Sequence, residues 1–367
     1  MQTCRLIFAL LATGIAHAGP PMLERIAVST DGSGFVEVSS GRAFHPWGVN
    51  YGNGGRLMED YWDKEWDTVA ADFRKIAGLG ANVVRVHLQF NKFMQSSDRL
   101  DAAALEKRGR LVALAEATGL YLDLTGLACY RTADVPEWYD AMDEKARWAA
   151  QCVFWRAIAG TCHHSPAIFC YDLMNEPMVP SGPDGKWYSG KLLGSYDFLQ
   201  SISRDLAGRK RSDLAAAWID TLSTAIHEKD RQHMITVGML PWVGGWGHLF
   251  GFVPKDVATH VDFLSIHLYP DTAKADEVRT ALSECTGHGK PVVIEETFPL
   301  SCSVRELEEF LRESRTSACG WLWHYDGFTP QDYDERAKAG RSGRADFLWQ
   351  AALQSFVKMK PGMMESP

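Results

Sequence analysis

The stretch Ala167-Ile-Phe-Cys-Tyr-Asp-Leu-Met-Asn-Glu-Pro177 leads from a short, mainly apolar run to a carboxylate. A run of this length, bounded by turn residues, is typical of a β-strand that is buried on both faces of a parallel sheet. The carboxyl end of such a strand lies at the surface of a sheet or barrel, where active sites of these architectures are found. Glu176 is therefore a candidate functional residue.

The stretch Pro291-Val-Val-Ile-Glu-Glu-Thr297 has the same design further along the chain. Its apolar run ends in two acidic residues, Glu295 and Glu296. Adjacent residues of a strand point to opposite faces, so only one of these two side chains is expected to reach the mouth of a barrel. Two converging carboxylates, one from each stretch, are what cleavage of a glycosidic bond requires.

Around these two stretches, apolar β-rich runs alternate with amphipathic runs, which is the pattern of βα units in a parallel sheet. The predicted strands are residues 44–50, 82–88, 120–125, 167–175, 233–240, 261–269, 291–297 and 319–325. The predicted helices are residues 62–79, 101–118, 143–160, 212–229, 272–285, 303–316 and 347–358. The pattern predicts the α/β class and a single (β/α)8 TIM barrel, because closure covers both faces and the edges of the sheet.

Segments outside these repeats set the limits of the domain. Residues 27–38 predict a small N-terminal β-hairpin with its turn at residues 31–34, which could plug the floor of the barrel. Residues 241–260 are rich in Gly and Trp and show no clear helical period. We expect the (β/α)8 catalytic domain to cover residues 19–360 and a polar, frayed tail to cover residues 361–367.

The first 18 residues have the features of a cleavable signal peptide. Arg5 precedes an apolar stretch over residues 6–15, and Ala16-His-Ala18 is the small-x-small pattern that a signal peptidase recognises. We therefore expect the protein to be secreted or periplasmic. No later segment keeps about twenty apolar residues together, as a membrane-spanning helix would require.

Charge narrows the class of ligand. The 367-residue chain has a formal net charge of −8, which argues against nucleic acid and against an anionic membrane as partners. A neutral polysaccharide or oligosaccharide substrate fits this charge better. We expect the protein to be a monomer.

Cysteine spacing argues against a metal centre. Seven of the eight cysteines follow the predicted signal peptide, an odd count for an exported protein, so at least one thiol should stay free or pair between chains. Since no two cysteines have the CxxC spacing, structural or disulfide roles are favoured over metal binding. No metal and no other cofactor is expected.

Polar and aromatic residues lie near the carboxyl ends of most predicted strands, which is the distribution expected of a barrel active site. In chain order they are Asn50, Tyr51, Arg85, His87, Thr125, Asn175, Glu176, His267, Tyr269, Glu296 and Trp323.

The sequence resembles the clan A glycoside hydrolases and is most similar to family 5, the cellulase and mannanase family. The matching pieces are Asn82-Val-Val-Arg-Val-His87, Asn175-Glu-Pro177, His267-Leu-Tyr269, Glu296 after Pro-Val-Val-Ile, and Trp323 in Gly320-Trp-Leu-Trp323. They span nearly all of the chain after the predicted signal peptide, in the order that the family has. The sequence departs from the family at Thr125, where a His is usual, and at Thr297-Phe298, where an aromatic residue and a Gly are usual.

The resemblance implies a retaining mechanism in which Glu176 is the general acid and base and Glu296 is the nucleophile. Their carboxyl groups should then lie about 5 to 5.5 Å apart. With Glu296 in the mouth of the barrel, Glu295 is expected to face the helix layer or to pair with a basic neighbour such as Lys290. By this interpretation, Glu295→Ala should leave substantial activity.

The resemblance also implies roles in substrate binding and in holding the two glutamates. Arg85 would keep Glu296 ionised, His267 and Tyr269 would orient the pair, and Asn175 would bind the sugar 2-hydroxyl. Trp323 would form the floor of the central subsite, and further substrate contacts are expected from Asn50, His87 and Trp242. Two simpler interpretations stay open, namely a rim salt bridge for Arg85 and a buried structural role for His267.

The function implied is that of an endo-β-1,4-glycanase acting on glucan or mannan. An exo-acting β-glycosidase or a transglycosylase would use the same chemistry. A catalytically inactive carbohydrate-binding barrel is the alternative from another class of protein, but a binding protein has no need of both glutamates together with Arg85.

Overall fold

The computed structural model describes residues 22–179, 185–189, 196–240 and 250–365. The chain opens with a small antiparallel sheet of strands β1 (Ile26–Val28), β2 (Phe35–Glu37) and β3 (Ala43–Phe44). Strands β1 and β2 form the predicted hairpin. In its turn, the carboxylate of Asp31 accepts hydrogen bonds from the hydroxyl of Ser29 and from the backbone N–H of Ser33, at 2.6 and 3.0 Å.

A closed barrel of eight parallel strands follows, in which each strand pairs with the barrel strands before and after it in the chain. This confirms the predicted (β/α)8 TIM barrel. The strands of the barrel are β4 (Trp47–Gly52), β5 (Val83–Gln89), β6 (Tyr121–Ala128), β7 (Ile168–Asn175), β11 (Met234–Met239), β12 (Leu264–His267), β13 (Val292–Glu296) and β14 (Gly320–Asp326). Between β7 and β11, a short three-stranded sheet comprises β8 (Pro177–Met178), β9 (Tyr188–Ser189) and β10 (Leu199–Ser201).

Helices cover the outside of the barrel. They are α1 (Trp66–Gly78), α2 (Phe90–Phe93), α3 (Ala102–Thr118), α4 (Glu137–Asp140), α5 (Glu144–Cys162), α6 (Arg211–His227), α7 (Pro254–Val257), α8 (Ala275–Ser283), α9 (Val304–Ser314), α10 (Pro330–Lys338) and α11 (Arg344–Met364). Their ends follow local signals. Asp101 caps α3 through the backbone N–H of Ala104, and Gly119, in the left-handed conformation, ends that helix.

The N-terminal hairpin closes the lower end of the barrel. The ring of Phe35 packs edge-on against Phe169 and Phe263, with ring centroids 5.2 Å apart in both contacts. Together with Ile26 and Phe44, Phe35 belongs to a separate buried cluster that includes inward residues of the barrel strands. The prediction that the hairpin plugs the floor is therefore confirmed.

The end of the chain differs from the prediction. Helix α11 continues to Met364, so the expectation of a frayed tail from residue 361 is wrong for residues 361–364. The physical reason is burial, because Met359 and Met363 pack into the core and hold the last turns of the helix. Residues 366–367 lie outside the described part of the chain.

All seven cysteines at positions 129, 152, 162, 170, 285, 302 and 319 are free thiols, so the disulfide alternative is not seen among the described residues. Four of them are buried and serve as packing groups. No helix in the described ranges is long and apolar enough to cross a bilayer. The predicted signal peptide, residues 1–18, lies outside the described residues and stays a prediction.

Candidate active site

Arg85 lies on β5 in the interior of the barrel, and none of its side chain is exposed. Its Nη1 donates to Oε1 of Glu296 at 2.5 Å and to Oδ1 of Asn50 at 2.9 Å. Its Nη2 donates to Oδ2 of Asp172 at 2.7 Å and to Oδ1 of Asn175 at 3.1 Å. A planar guanidinium that is held on both branches has one orientation. Arg85 is thus an interior organising group and does not form a salt bridge at the rim.

Glu176 and Glu296 come together across the barrel, as the sequence predicts. One carboxylate oxygen of each lies within 4.8 Å of the other. Glu176 directly follows β7, and its backbone has a φ of +47°, in the left-handed region that a non-glycine residue seldom adopts. Its N–H donates to the carbonyl oxygen of Gly238 at 2.9 Å. Strained residues of this kind persist where the surroundings impose them, and they cluster at active sites.

His267 and Tyr269 hold the two glutamates. The Nδ1 atom of His267 lies 2.9 Å from Oε1 of Glu176, and the hydroxyl of Tyr269 donates to Oε2 of Glu296. His267 ends β12 and is completely buried. It therefore lies within the site and is not an isolated core histidine.

The surroundings push the pKa values of the two glutamates apart. Burial raises the pKa of Glu176 above its usual value, and the hydrogen bond and positive charge of His267 offset this only in part. Burial also disfavours ionisation of Glu296, but the nearby His267 and Arg85 outweigh it and lower the pKa to about 2. The raised pKa favours the protonated form of Glu176 and the lowered pKa favours the ionised form of Glu296, the arrangement that an acid and a nucleophile require.

Two predicted substrate-binding residues have mainly internal partners. The amide of Asn50 donates to the carbonyl oxygens of Glu295 and Trp323 at 2.8 and 3.0 Å, so Asn50 ties three strands to Arg85. His87 lies 2.6 Å from the hydroxyl of Tyr130 through Nδ1. Burial and the charge of Arg85 lower the pKa of His87 to about 3, which keeps the ring neutral. Trp242 lies outside the described residues.

The prediction for Trp323 is wrong. Its indole is 1% exposed and packs between the barrel and α11, with ring centroids 6.0 Å from Trp47 and 5.6 Å from Phe356. The alternation of β14 explains this, because Leu322 belongs to the floor cluster and Trp323 therefore points outward. His324 is the residue of β14 that faces the aromatic side chains around the site.

Replacing Trp323 with Phe should therefore lower the free energy of unfolding by about 1–2 kcal/mol, since a smaller ring leaves a gap against α11. The indole N–H has no hydrogen-bond partner among the described residues, so the change removes no hydrogen bond there. The KM for a glycoside should stay within about twofold, because the side chain faces away from the site. Urea denaturation measures the first effect and steady-state kinetics the second. A large rise in KM would show that Trp323 contacts the substrate after all.

Glu295 also lies in the barrel interior, contrary to the expectation that it faces the helix layer or pairs with Lys290. It is fully buried, with Oε2 3.3 Å from Nε2 of His267 and 3.5 Å from Nη2 of Arg85. Val293 belongs to the floor cluster, and strand alternation carries Glu295 to the same face. The register with β12 then shifts, so that His267 pairs with Glu296.

That irregularity explains how two adjacent glutamates both reach the interior. A bulge places one extra residue on one strand and re-aims the side chain that follows. Glu295 is consequently at the deeper level, with none of its side chain exposed, while the side chain of Glu296 is 17% exposed.

Sequence reasoning missed two acidic residues of the interior, Asp123 on β6 and Asp172 on β7. Both are buried within the strands and face inward with Glu295. A signal was available, since Asp123 is two residues before Thr125 and Asp172 is three residues before Asn175, near strand ends already assigned to the site.

The acidic groups are close enough to be considered as metal ligands. The sets with ligand atoms within 4.8 Å of one another are Glu176, His267 and Glu296, and Asp123, Asp172 and Glu295. The guanidinium of Arg85 lies within 3.5 Å of Asp172, Glu295 and Glu296. It supplies at this point the positive charge that a metal ion would bring.

The chain is similar to known proteins in sequence and in fold. The family model described as cellulase, glycosyl hydrolase family 5, matches residues 41–327. Mannan endo-1,4-beta-mannosidase 4 of Oryza sativa subsp. japonica is 28% identical in an alignment of 133 positions that covers 31% of this chain and 23% of that protein. The aligned part thus spans less than a quarter of the length of this curated relative.

Solved structures share the fold at low sequence identity. An exo-beta-1,4-mannosidase from Opitutaceae bacterium strain TAV5 aligns with a TM-score of 0.64 at 18% identity, over 92% of this chain and 62% of that chain. A beta-1,4-mannanase from the common sea hare Aplysia kurodai aligns with a TM-score of 0.62 at 14% identity, over 94% and 99% of the two chains. Because the family model covers most of the barrel, the chain belongs to glycosyl hydrolase family 5, as the sequence motifs predict.

Proposed function

We propose that the protein hydrolyses β-1,4-linked mannan with retention of anomeric configuration, with Glu296 as nucleophile and Glu176 as general acid and base. One observation carries the mechanism, namely that carboxylate oxygens of the two residues lie within 4.8 Å of each other. Retaining enzymes separate their carboxyl groups by about 5 to 5.5 Å, whereas inverting enzymes need about 6.5 to 9.5 Å to admit a water molecule.

In the first step, an oxygen of Glu296 forms a bond to the anomeric carbon while the bond from that carbon to the glycosidic oxygen breaks. The proton of Glu176 passes to the departing oxygen, so the leaving sugar departs as an alcohol. Arg85 on Oε1 and Tyr269 on Oε2 fix the plane of the Glu296 carboxylate before attack. Such prior orientation lowers the entropic part of the barrier.

In the second step, Glu176, now ionised, takes a proton from water as the water oxygen attacks the anomeric carbon. The bond to Glu296 breaks, and both glutamates return to their first protonation states. Asn175 is placed to assist both steps. Its Oδ1 accepts from Arg85, and one amide hydrogen is donated to the carbonyl oxygen of Phe198 at 3.4 Å, which leaves the second amide hydrogen to donate to the sugar 2-hydroxyl.

The substrate class is proposed from two kinds of support. The curated relative and the two solved structures named above bear the names of enzymes that act on β-1,4-linked mannan or mannosides. The acidic net charge suits a neutral polymer. We favour endo action on mannan over action on glucan, and export from the cell over a cytoplasmic location, since residues 1–18 have the pattern of a signal peptide.

The test is a panel of purified polysaccharides, including β-mannan, β-1,4-glucan and xylan, with sizing of the products and proton NMR of the first-formed reducing end. We expect β-mannan to give a ladder of oligosaccharides whose new reducing ends are β before mutarotation. Release of only mannose or mannobiose would contradict endo action and indicate exo action. Faster cleavage of glucan than of mannan would contradict the proposed substrate. An α-anomer as first product would contradict retention, and EDTA should not change the rate.

A further inference from the structure

Beneath the two proposed catalytic glutamates, three acidic side chains lie close together inside the barrel. One carboxylate oxygen from each of Asp123, Asp172 and Glu295 lies within 4.8 Å of the other two. Asp123 is 1% exposed, and the other two are completely buried. Ionised carboxylates at this distance and away from water repel one another strongly, so that at least one of the three must hold a proton.

The hydrogen bonds indicate which one it is. Asp172 accepts on both oxygens, from Nη2 of Arg85 at 2.7 Å and from the N–H of Gly238 at 2.8 Å, as a carboxylate does. Asp123 instead lies beside Glu295, with one oxygen of each within 4.8 Å, and two carboxyl groups can share a hydrogen bond only if one of them is protonated. Burial and the charge of Glu295 raise the pKa of Asp123 well above its usual value.

A proton on Asp123 also accounts for two buried oxygen atoms that otherwise lack hydrogen-bond partners. When both groups are written as carboxylates, Oδ1 of Asp123 and Oε1 of Glu295 have no hydrogen bond among the described residues. An O–H group on Asp123 that donates to Glu295 gives a partner to each side chain. Unpaired buried oxygens are costly, which favours this arrangement.

Glu295 has a second partner on its other side. Its Oε2 lies 3.3 Å from Nε2 of His267, whose Nδ1 lies 2.9 Å from Oε1 of Glu176. The side chains Asp123, Glu295, His267 and Glu176 therefore form a continuous buried line from β6 through β13 and β12 to the end of β7.

We propose that Glu295 is a positioning residue for the reaction proposed above, on which this inference rests: it accepts a hydrogen bond from Nε2–H of His267 and so keeps Nδ1–H of the same ring directed at Glu176. Asp123 completes the arrangement by donating its proton to Glu295. Together, these hydrogen-bonded side chains determine which oxygen of Glu176 carries the catalytic proton.

The reason lies in the two ends of the imidazole. If Nδ1 donates to Oε1 of Glu176, that oxygen acts as an acceptor, and the proton of Glu176 must be on Oε2, free to pass to a glycosidic oxygen. If the ring loses its charge and keeps hydrogen only on Nε2, Nδ1 becomes an acceptor. It would then draw the Glu176 proton onto Oε1 and away from the substrate.

The charges around His267 favour the doubly protonated ring. Glu176 faces it from β7, Glu295 and Glu296 from β13, and Arg85 and His87 from β5. Burial lowers the pKa of His267, but the charge of Glu296 and the hydrogen bonds to Glu176 and Glu295 outweigh it and raise the pKa to about 10.

Neighbouring β11 presents a glycine at this point and no titratable group. A Cβ on Gly238 would lie 2.7 Å from Nε2 of His267 and 2.9 Å from Oε2 of Glu295. Any larger residue would force the ring and the carboxylate apart. The absence of a side chain there allows their contact.

Nitrogen NMR on the full-length protein with ¹⁵N-labelled histidine tests the proposal without relying on activity. The resonances of His267 are those that disappear in His267→Gln. We expect both ring nitrogens to be protonated at pH 8 in the wild type, and Glu295→Gln to give a neutral ring at that pH. Asp123→Asn should keep the charged ring, because its amide donates where the O–H group did. Glu309→Gln, exposed on α9, is the matched control.

Two results would overturn the inference, namely a neutral His267 ring at pH 8 in the wild type or a doubly protonated ring in folded Glu295→Gln. The wild-type spectrum decides the first point even if the variant fails to fold. A wild type that hydrolyses no glycoside, yet shows the expected ring states, would reject the proposed function and leave the assignment of the buried line intact.

Kinetics then separate positioning from a general structural role. Glu295→Gln should lower kcat/KM by about ten- to a hundredfold for a mannoside with a poor leaving group, which needs the proton of Glu176. For a dinitrophenyl mannoside, whose leaving group needs no proton, the loss should stay below about threefold. Equal losses on both substrates would mean that the change damages the site as a whole and would overturn the proposed role.

Discussion

Glu296→Ala should lower kcat by at least about a thousandfold on every glycoside that the wild type cleaves, because no covalent intermediate can form without the nucleophile. The fold should survive the change. Arg85 keeps its contacts with Asp172, Asn175 and Glu295 when Glu296 is removed. Steady-state assays with a chromogenic β-mannoside measure the loss, and thermal denaturation checks the fold.

Azide extends this test to the stereochemistry. The shortened side chain leaves space next to the anomeric carbon on the face that Glu296 attacks, so added azide should restore turnover and give an α-glycosyl azide. Glu309→Ala, on the exposed face of α9, serves as the control and should behave as the wild type. Wild-type activity in Glu296→Ala, or a β-glycosyl azide as its product, would remove Glu296 from the nucleophile role.

Glu176→Ala should lower kcat/KM by about a hundred- to ten-thousandfold for substrates with poor leaving groups, since these depend on the general acid. A dinitrophenyl mannoside should still form the glycosyl-enzyme at a rate close to that of the wild type. Hydrolysis of that intermediate then lacks its base, so a burst of dinitrophenol followed by slow turnover is expected. Azide should accelerate the slow phase and give a β-glycosyl azide, the opposite anomer to that from Glu296→Ala.

The pH profile of the wild type gives a second measure of the same residue. Burial raises the pKa of Glu176 above 4.5, so the protonated acid persists into a higher pH range, and kcat/KM should fall as pH rises through that pKa. On the acid side, Glu296 loses its charge only near its pKa of about 2. With a substrate that has a poor leaving group, the alkaline limb should disappear in Glu176→Ala; its persistence in the residual activity would assign the limb to another group.

The fold could be predicted from local patterns because each barrel strand is buried on both faces. The apolar run 167–175 corresponds to β7, Ile168–Asn175, and the run 291–297 to β13, Val292–Glu296. The end of α11 could not be predicted in the same way. Pro361 and Gly362 favour termination of a helix, and it is the packing of Met363 against distant residues that continues it.

The positions of Glu176, Glu296, His267 and Tyr269 were predictable because they follow from strand ends. The orientations of Trp323 and Glu295 were not. Whether a residue of a strand faces inward depends on the phase of the pleat relative to the barrel axis, and the register shift between β12 and β13 changes that phase between adjacent residues. No local pattern in the stretch Pro291–Thr297 encodes the shift, which depends on pairing with a strand about thirty residues earlier.

The N-terminal hairpin covers the lower end of the barrel and leaves the upper end, at the carboxyl ends of the strands, for access to the site. Ile26, Phe35 and Phe44 at its base are at most 6% exposed, so apolar side chains fill the lower end of the barrel among the described residues. In the proposed reaction, substrate, water and product would then all pass through the upper opening. By the proposed mechanism, the departing sugar would leave through that opening before the water of the second step enters, so the architecture would set an order of exit and entry. An acceptor sugar that enters first would compete with water for the same opening. The ratio of hydrolysis to transglycosylation would then depend on the relative rates at which water and sugar enter.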